Sequence, residues 1–180
     1  MDNSKLVKFL IEIAPVISAV MPLIVILLTG WWVNKRLETI KSRLQIDHSI
    51  IEKRAGIYAE IQDDLNNIYS YILRVGNWKD LTPIQILKSK RLVDQKLHTT
   101  KPYWSESTVT RYEEFMEICF KTFRGHGKDA GIRAEVEKYK SLSNWEQSYS
   151  DSFVGGYDKA SLTSANKKLI DSFSKDFGIV

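Results

Sequence analysis

Between Lys79 and Lys101 the chain carries six cations, Lys79, Lys88, Lys90, Arg91, Lys96 and Lys101, against only Asp80 and Asp94. That balance of +4 equals the formal charge of the whole 180-residue chain. Trp78, His98, Tyr103 and Trp104 border the cations. Phosphates need positive charge and unstacked bases need flat partners, so cations interleaved with aromatic rings are the chemistry of a surface for single-stranded nucleic acid. On this reading Lys88, Lys90, Arg91, Lys96, Lys101 and Trp104 contact single-stranded DNA or another nucleic-acid ligand. The same pattern also fits a solvated helix face whose aromatics pack inward, and the sequence leaves both open.

Groups suited to catalysis do not converge. His48, His98 and His126 are scattered, none lies in a Glu-x-x-His or His-Glu-x-x-His pattern, and the single cysteine leaves no pair to bind zinc. Cys119 falls among Phe115, Met116, Phe120 and Phe123 at helical spacing, which predicts a small apolar core residue in a reducing compartment. No serine occupies a Gly-x-Ser-x-Gly elbow. Asp63-Asp64 and Glu113-Glu114 are adjacent, and helix neighbours point about 100° apart, so neither is a ready acid/base pair. The reading is a non-enzyme with no catalytic residue, no metal site and no cofactor. The stretch Arg124-Gly125-His126-Gly127-Lys128-Asp129-Ala130-Gly131 is glycine-rich and basic, and amides in such a loop can hold phosphate. It lacks the spacing and terminal Lys-Ser/Thr of a phosphate-binding loop, so a connection between helices fits it better.

The element that positions all of this is the uncharged stretch from Ile13 to Val33. A hydrocarbon core of roughly 30 Å takes about 20 helical residues to cross, and this stretch is long enough. Trp31 and Trp32 close it and Lys35 and Arg36 follow, the order of an aromatic belt and then a charged anchor. A cleaved signal peptide would need a small-x-small site after the apolar run, and Thr29-Gly30-Trp31-Trp32 is a poor one. A buried helix of a soluble core is the other competing reading. Lys35, Arg36, Lys41 and Arg43 outnumber Lys5 and Lys8, so the membrane is expected to be crossed once with the C-terminal bulk in the cytoplasm. Pro15 and Pro22 should each disturb the helix, and Ala14 and Ser18 form a small-xxx-small pair through which spans can associate.

From Asn34 to Val75 apolar residues recur at alternating three- and four-residue steps, at Leu37, Ile40, Leu44, Ile51, Tyr58, Ile61, Leu65, Ile68, Ile72 and Val75. This heptad seam predicts a continuous helix of roughly 60 Å, with Gly56 as its weak point. Asp47 and Arg54 break the seam at equivalent positions. Either they are exposed near the membrane, or they meet partners in other subunits and fix the register of a homo-oligomer. Beyond a break at Gly76-Asn77-Trp78, Thr82-Pro83 opens a helix over 83–99 with Ile84, Leu87, Val93 and Leu97 inward. A third helix is predicted over 107–123, with Thr110 to Glu113 as a capping box and Phe123 in the core; a fourth from Ile132 to Tyr149; and a last one over 159–176. No stretch alternates long enough to predict a sheet. The expected fold is all-α: lead-in and transmembrane helix over 1–33, long stalk helix over 34–75, and cytoplasmic helical bundle over 76–180.

The span at Ile13–Val33, the long helix from Asn34 and the basic helical region from Lys79, in a small chain facing the cytoplasm, together resemble the channel-forming membrane effectors of bacterial anti-phage defence, most of all those of the Hailong type. The resemblance implies a homo-oligomeric ion channel, held closed by DNA oligomers on its cytoplasmic domain and opened when phage activity removes them, so that the cell depolarises. It lies in the organisation of the whole chain and rests on no signature motif, so it assigns no residue a role. A reading from another class is a non-conducting membrane-anchored scaffold or regulatory module whose basic face touches anionic membrane lipid.

Overall fold

A computed structural model describes the backbone of residues 3–179 and the side chains of residues 20–179 apart from 23, 24, 43 and 46. It is mostly helical, with 73% helix and 3% strand. Contacts divide the chain into two units, Met1–Ser49 and Ile50–Val180.

Helix α1 runs Asn3–Leu73 as one element through Pro15 and Pro22, where the sequence predicts a disturbance. Isolated prolines can be carried inside a membrane helix when local adjustments satisfy the freed carbonyls. Within Val20–Leu73 α1 holds a window of mean hydropathy 1.2 that is 0% buried, so among the described residues there is one helix long and apolar enough to cross a membrane. At the end of the apolar run the Lys35 ammonium lies 5.2 Å from the centroid of the Trp31 ring and the Arg36 guanidinium 4.6 Å from that of Trp32. Each cation thus covers the aromatic residue one turn before it. Leu37, Ile40, Leu44 and Ile51 are exposed, Leu44 by 63%. Ala14 and Ser18, expected at a helix–helix contact, have side chains outside the described residues.

In the second unit the seam of α1 turns inward. Ile61, Leu65, Ile68 and Ile72 of the seam are buried, joined by Ile57 and Tyr71 from beside it, in one core with residues between Ile86 and Phe173, whereas Val75 at the end of the seam is 47% exposed. The helix stops at Leu73 because Arg74 takes a left-handed conformation (φ 59°) and Val75 N–H returns to Ser70 C=O at 3.0 Å, a Schellman closure built on a non-glycine residue.

Helix α2, Pro83–Thr99, starts where the sequence places it: Thr82 and Gln85 form a reciprocal capping box and Pro83 takes the first turn. Its inward face is Ile86, Leu87, Val93 and Leu97, whereas Ile84, expected inside, is 60% exposed. Helix α3, Glu106–Cys119, is capped by Ser105 rather than near Thr110, its hydroxyl accepting from Thr108 N–H at 3.2 Å. It ends four residues earlier than predicted because Phe120 is extended and begins strand β1, Phe120–Lys121, which pairs antiparallel with β2, Gly131–Ile132. Phe123, expected in the core, is left 79% exposed on the connecting loop.

The predicted fourth helix is absent from the described residues. Val136, Tyr139, Leu142 and Trp145 are spaced by three, and each of the last three donates its N–H to the C=O of the one before, so the segment is a chain of 3-10 turns. Ser141, Ser143 and Asn144 compete with helical bonding. Packing rather than helix holds the segment. The Tyr139 ring lies 4.8 Å from Tyr71 and 5.0 Å from Phe153, and its hydroxyl donates to Tyr71 C=O at 2.9 Å. Helix α4, Lys159–Asp176, is capped by Asp158 and buries Leu162, Ala165, Leu169 and Phe173.

Candidate anion-binding cleft

Ile84, Lys88 and Arg91 lie three and four residues apart on α2, so one exposed stripe carries both cations. Opposite this stripe the β1–β2 pairing pins both ends of the glycine-rich loop. Within that loop Lys128 N–H donates to Gly125 C=O at 3.2 Å, and Gly125 and Gly127 take φ values of 121° and 71° that disfavour side chains. At its exit Gly131 permits a close approach, since a Cβ there would lie 2.3 Å from Val154 Cγ1 and 2.9 Å from Arg124 Cδ. The Arg124 stem therefore crosses over Gly131. The result is a cleft of about 610 Å³ that brings Lys88 and Arg91 of α2 together with Arg124 and Lys128 of the loop, alongside Asp129 and Asp151. Arg91 and Asp129 form an ion pair across it.

The residues expected to contact nucleic acid separate into three groups. Lys88 and Arg91 line the cleft. Lys101 is exposed in a 3-10 turn, and Lys96 pairs with Glu60 of α1. Lys90 and Trp104, expected on the surface, are instead enclosed. Lys90 is only 7% exposed; its ammonium sits 2.5 Å from Asp94 Oδ2 and 5.6 Å from the centroid of the Phe120 ring. Tyr112 donates its hydroxyl to the same Asp94 carboxylate, and burial, then that bond, push the phenol well above its ordinary range. Lys90 is thus part of an internal polar cluster. Trp104, expected as a stacking platform, is 6% exposed, donates Nε1–H to Thr100 Oγ1 at 3.2 Å and meets Phe173 edge-on at 5.1 Å. An indole enclosed in this way offers no face to a base.

Sequence reasoning missed Arg124 and Lys128. Their signal was the basic glycine-rich loop itself, but only the fold sets that loop beside α2.

Asp47 is exposed. Arg54 is satisfied within its own chain: Nε donates to Tyr103 C=O and Nη1 to Asp176 C=O, each at 2.5 Å. Asp176 Oδ2 in turn accepts from Ser105 N–H at 3.1 Å. Arg54 therefore ties α1 to the α2–α3 corner and to the last carbonyls of α4.

Comparison with protein-family models, with curated proteins and with solved structures finds no match to this chain.

Proposed function

We propose that the protein is a membrane-anchored, self-assembling effector of the anti-phage type, in which α1 helices gather into an ion-conducting channel gated by a nucleic-acid ligand on the basic C-terminal part. On this reading the N-terminal part of α1 is the span, residues 34–75 are the stalk and the remainder is a cytoplasmic bundle at a bacterial inner membrane. The observation that carries the assembly is the apolar row Leu37, Ile40, Leu44 and Ile51, exposed on the helix that continues from the apolar window. Heptad-spaced apolar residues in contact with water gain by meeting the same row on another copy. The cleft supplies four cations from two elements, which favours a polyanionic ligand over a lipid surface, because concave sites select discrete ligands. Ligand gating then acts through the packing or rotation of the stalk.

The mass of the detergent-solubilised protein, taken with its 260/280 nm absorbance ratio before and after nuclease, tests this reading. A defined oligomer carrying nuclease-sensitive material is expected, and Ile40→Glu with Leu44→Glu should reduce the oligomer. A clean monomer without nucleic acid would overturn the proposal and favour the anchored scaffold.

A further inference from the structure

Four cations and two carboxylates line the cleft, leaving a net +2 on Lys88, Arg91, Arg124, Lys128, Asp129 and Asp151. An internal phosphodiester brings a single negative charge. A terminal phosphomonoester brings about −1.5 to −2 at neutral pH with three acceptor oxygens, and so matches this lining more closely. The position of Asp129 points the same way. Its Oδ2 takes the Arg91 guanidinium and its Oδ1 accepts from Ala130 N–H at 3.2 Å, so an oxyanion already bridges a guanidinium and a backbone amide. Those are the donors that bind phosphate oxygens. The Arg91–Asp129 pair is also solvent-accessible, with side chains 63% and 46% exposed, and exposed pairs are weak enough to exchange. Base recognition has no matching provision within the cleft, since none of its ten lining residues is aromatic and Trp104 is enclosed.

Resting on the proposed nucleic-acid reading and naming the part of the ligand that is bound, we infer that the cleft is a site for the terminal phosphomonoester of a nucleotide or short oligonucleotide, with Asp129 as an internal competitor for Arg91. The ligand displaces the Asp129 carboxylate, and Arg91, Arg124 and Lys128 take the phosphate oxygens. Binding is then directed at chain ends and indifferent to base identity.

The test is fluorescence anisotropy of the full chain in detergent with one oligothymidylate carrying either a 5′-phosphate or a 5′-hydroxyl, with thymidine 5′-monophosphate as competitor. The phosphorylated end should bind at least about tenfold tighter, the gain expected of one added charge-assisted contact. Arg124→Gln and Lys128→Gln should erase that preference, and Asp129→Asn should tighten binding of the phosphorylated form. Equal affinity for the two ends would overturn the inference; if Arg124→Gln then weakened both equally, the cleft would remain a nucleic-acid site without end recognition. Direct binding of thymidine 5′-monophosphate, read by titration calorimetry, with no oligonucleotide binding would uphold the inference and remove the nucleic-acid gate. A short-chain phosphatidic acid competing as well as the monophosphate would assign the same chemistry to a lipid headgroup and overturn the nucleotide source.

Discussion

Arg54 interrupts the apolar seam of α1, and its guanidinium bonds account for it: both accepting carbonyls belong to the same chain. Removing the guanidinium leaves the Asp176 carbonyl without that donor at the end of α4. Arg54→Met should therefore cost about 1–3 kcal/mol, read as a fall of several degrees in the melting temperature of the detergent-solubilised chain. An unchanged melting temperature would show that these bonds are not maintained in solution. Asp158 gives a pH dependence of known sign. The Ser161 hydroxyl and N–H bond its carboxylate and hold it below its ordinary value of 3.8. A depressed carboxylate adds stability that is complete above its unfolded value and is lost as pH falls through its folded one. Melting temperatures taken from pH 7 down to pH 3 should decline less steeply for Asp158→Asn than for the parent chain; parallel curves would mean that the cap contributes nothing to acid sensitivity.

At the scale of elements, Gly56 is an interior glycine of α1 with nothing within 4 Å of where a Cβ would stand. Gly56→Ala should stabilise by roughly 0.4–1 kcal/mol and raise the melting temperature by about 1–4 °C, since alanine loses less backbone freedom on entering a helix. A lower melting temperature would imply that another surface packs against Gly56. Elements with local start chemistry or clear spacing were legible in the sequence: Thr82-Pro83 fixed the start of α2, and the spacing of Leu162, Ala165, Leu169 and Phe173 fixed α4, while the Gln85 half of the capping box and the Asp158 cap emerge only in the structure. The segment after Cys119 was not. A two-residue ladder such as Phe120–Lys121 is too short to show alternation, and a strict spacing of three at Val136, Tyr139, Leu142 and Trp145 satisfies a helical pattern and a chain of 3-10 turns alike. Ile84 and Ile86 are apolar neighbours at the start of α2, and only tertiary packing chooses which of them faces the core.

For the whole molecule, the sequence showed that the basic excess lies near α2 but not which cations are available. Lys90 and Trp104 were absorbed by the core because Asp94 and Phe173 were there to receive them, neighbours that composition does not reveal. Arg124 and Lys128 entered the site because β1 and β2 close the glycine loop beside Lys88 and Arg91. Planar-bilayer conductance of the reconstituted full chain tests most directly the proposal that ligand in this cleft gates an ion pathway formed by α1. The parent protein should conduct, and a short single-stranded oligonucleotide on the side of the C-terminal part should suppress the current. Lys88→Glu with Arg124→Glu and Lys128→Glu should conduct equally with and without the oligonucleotide. A parent protein that stays silent under both conditions while correctly inserted and assembled would contradict the account.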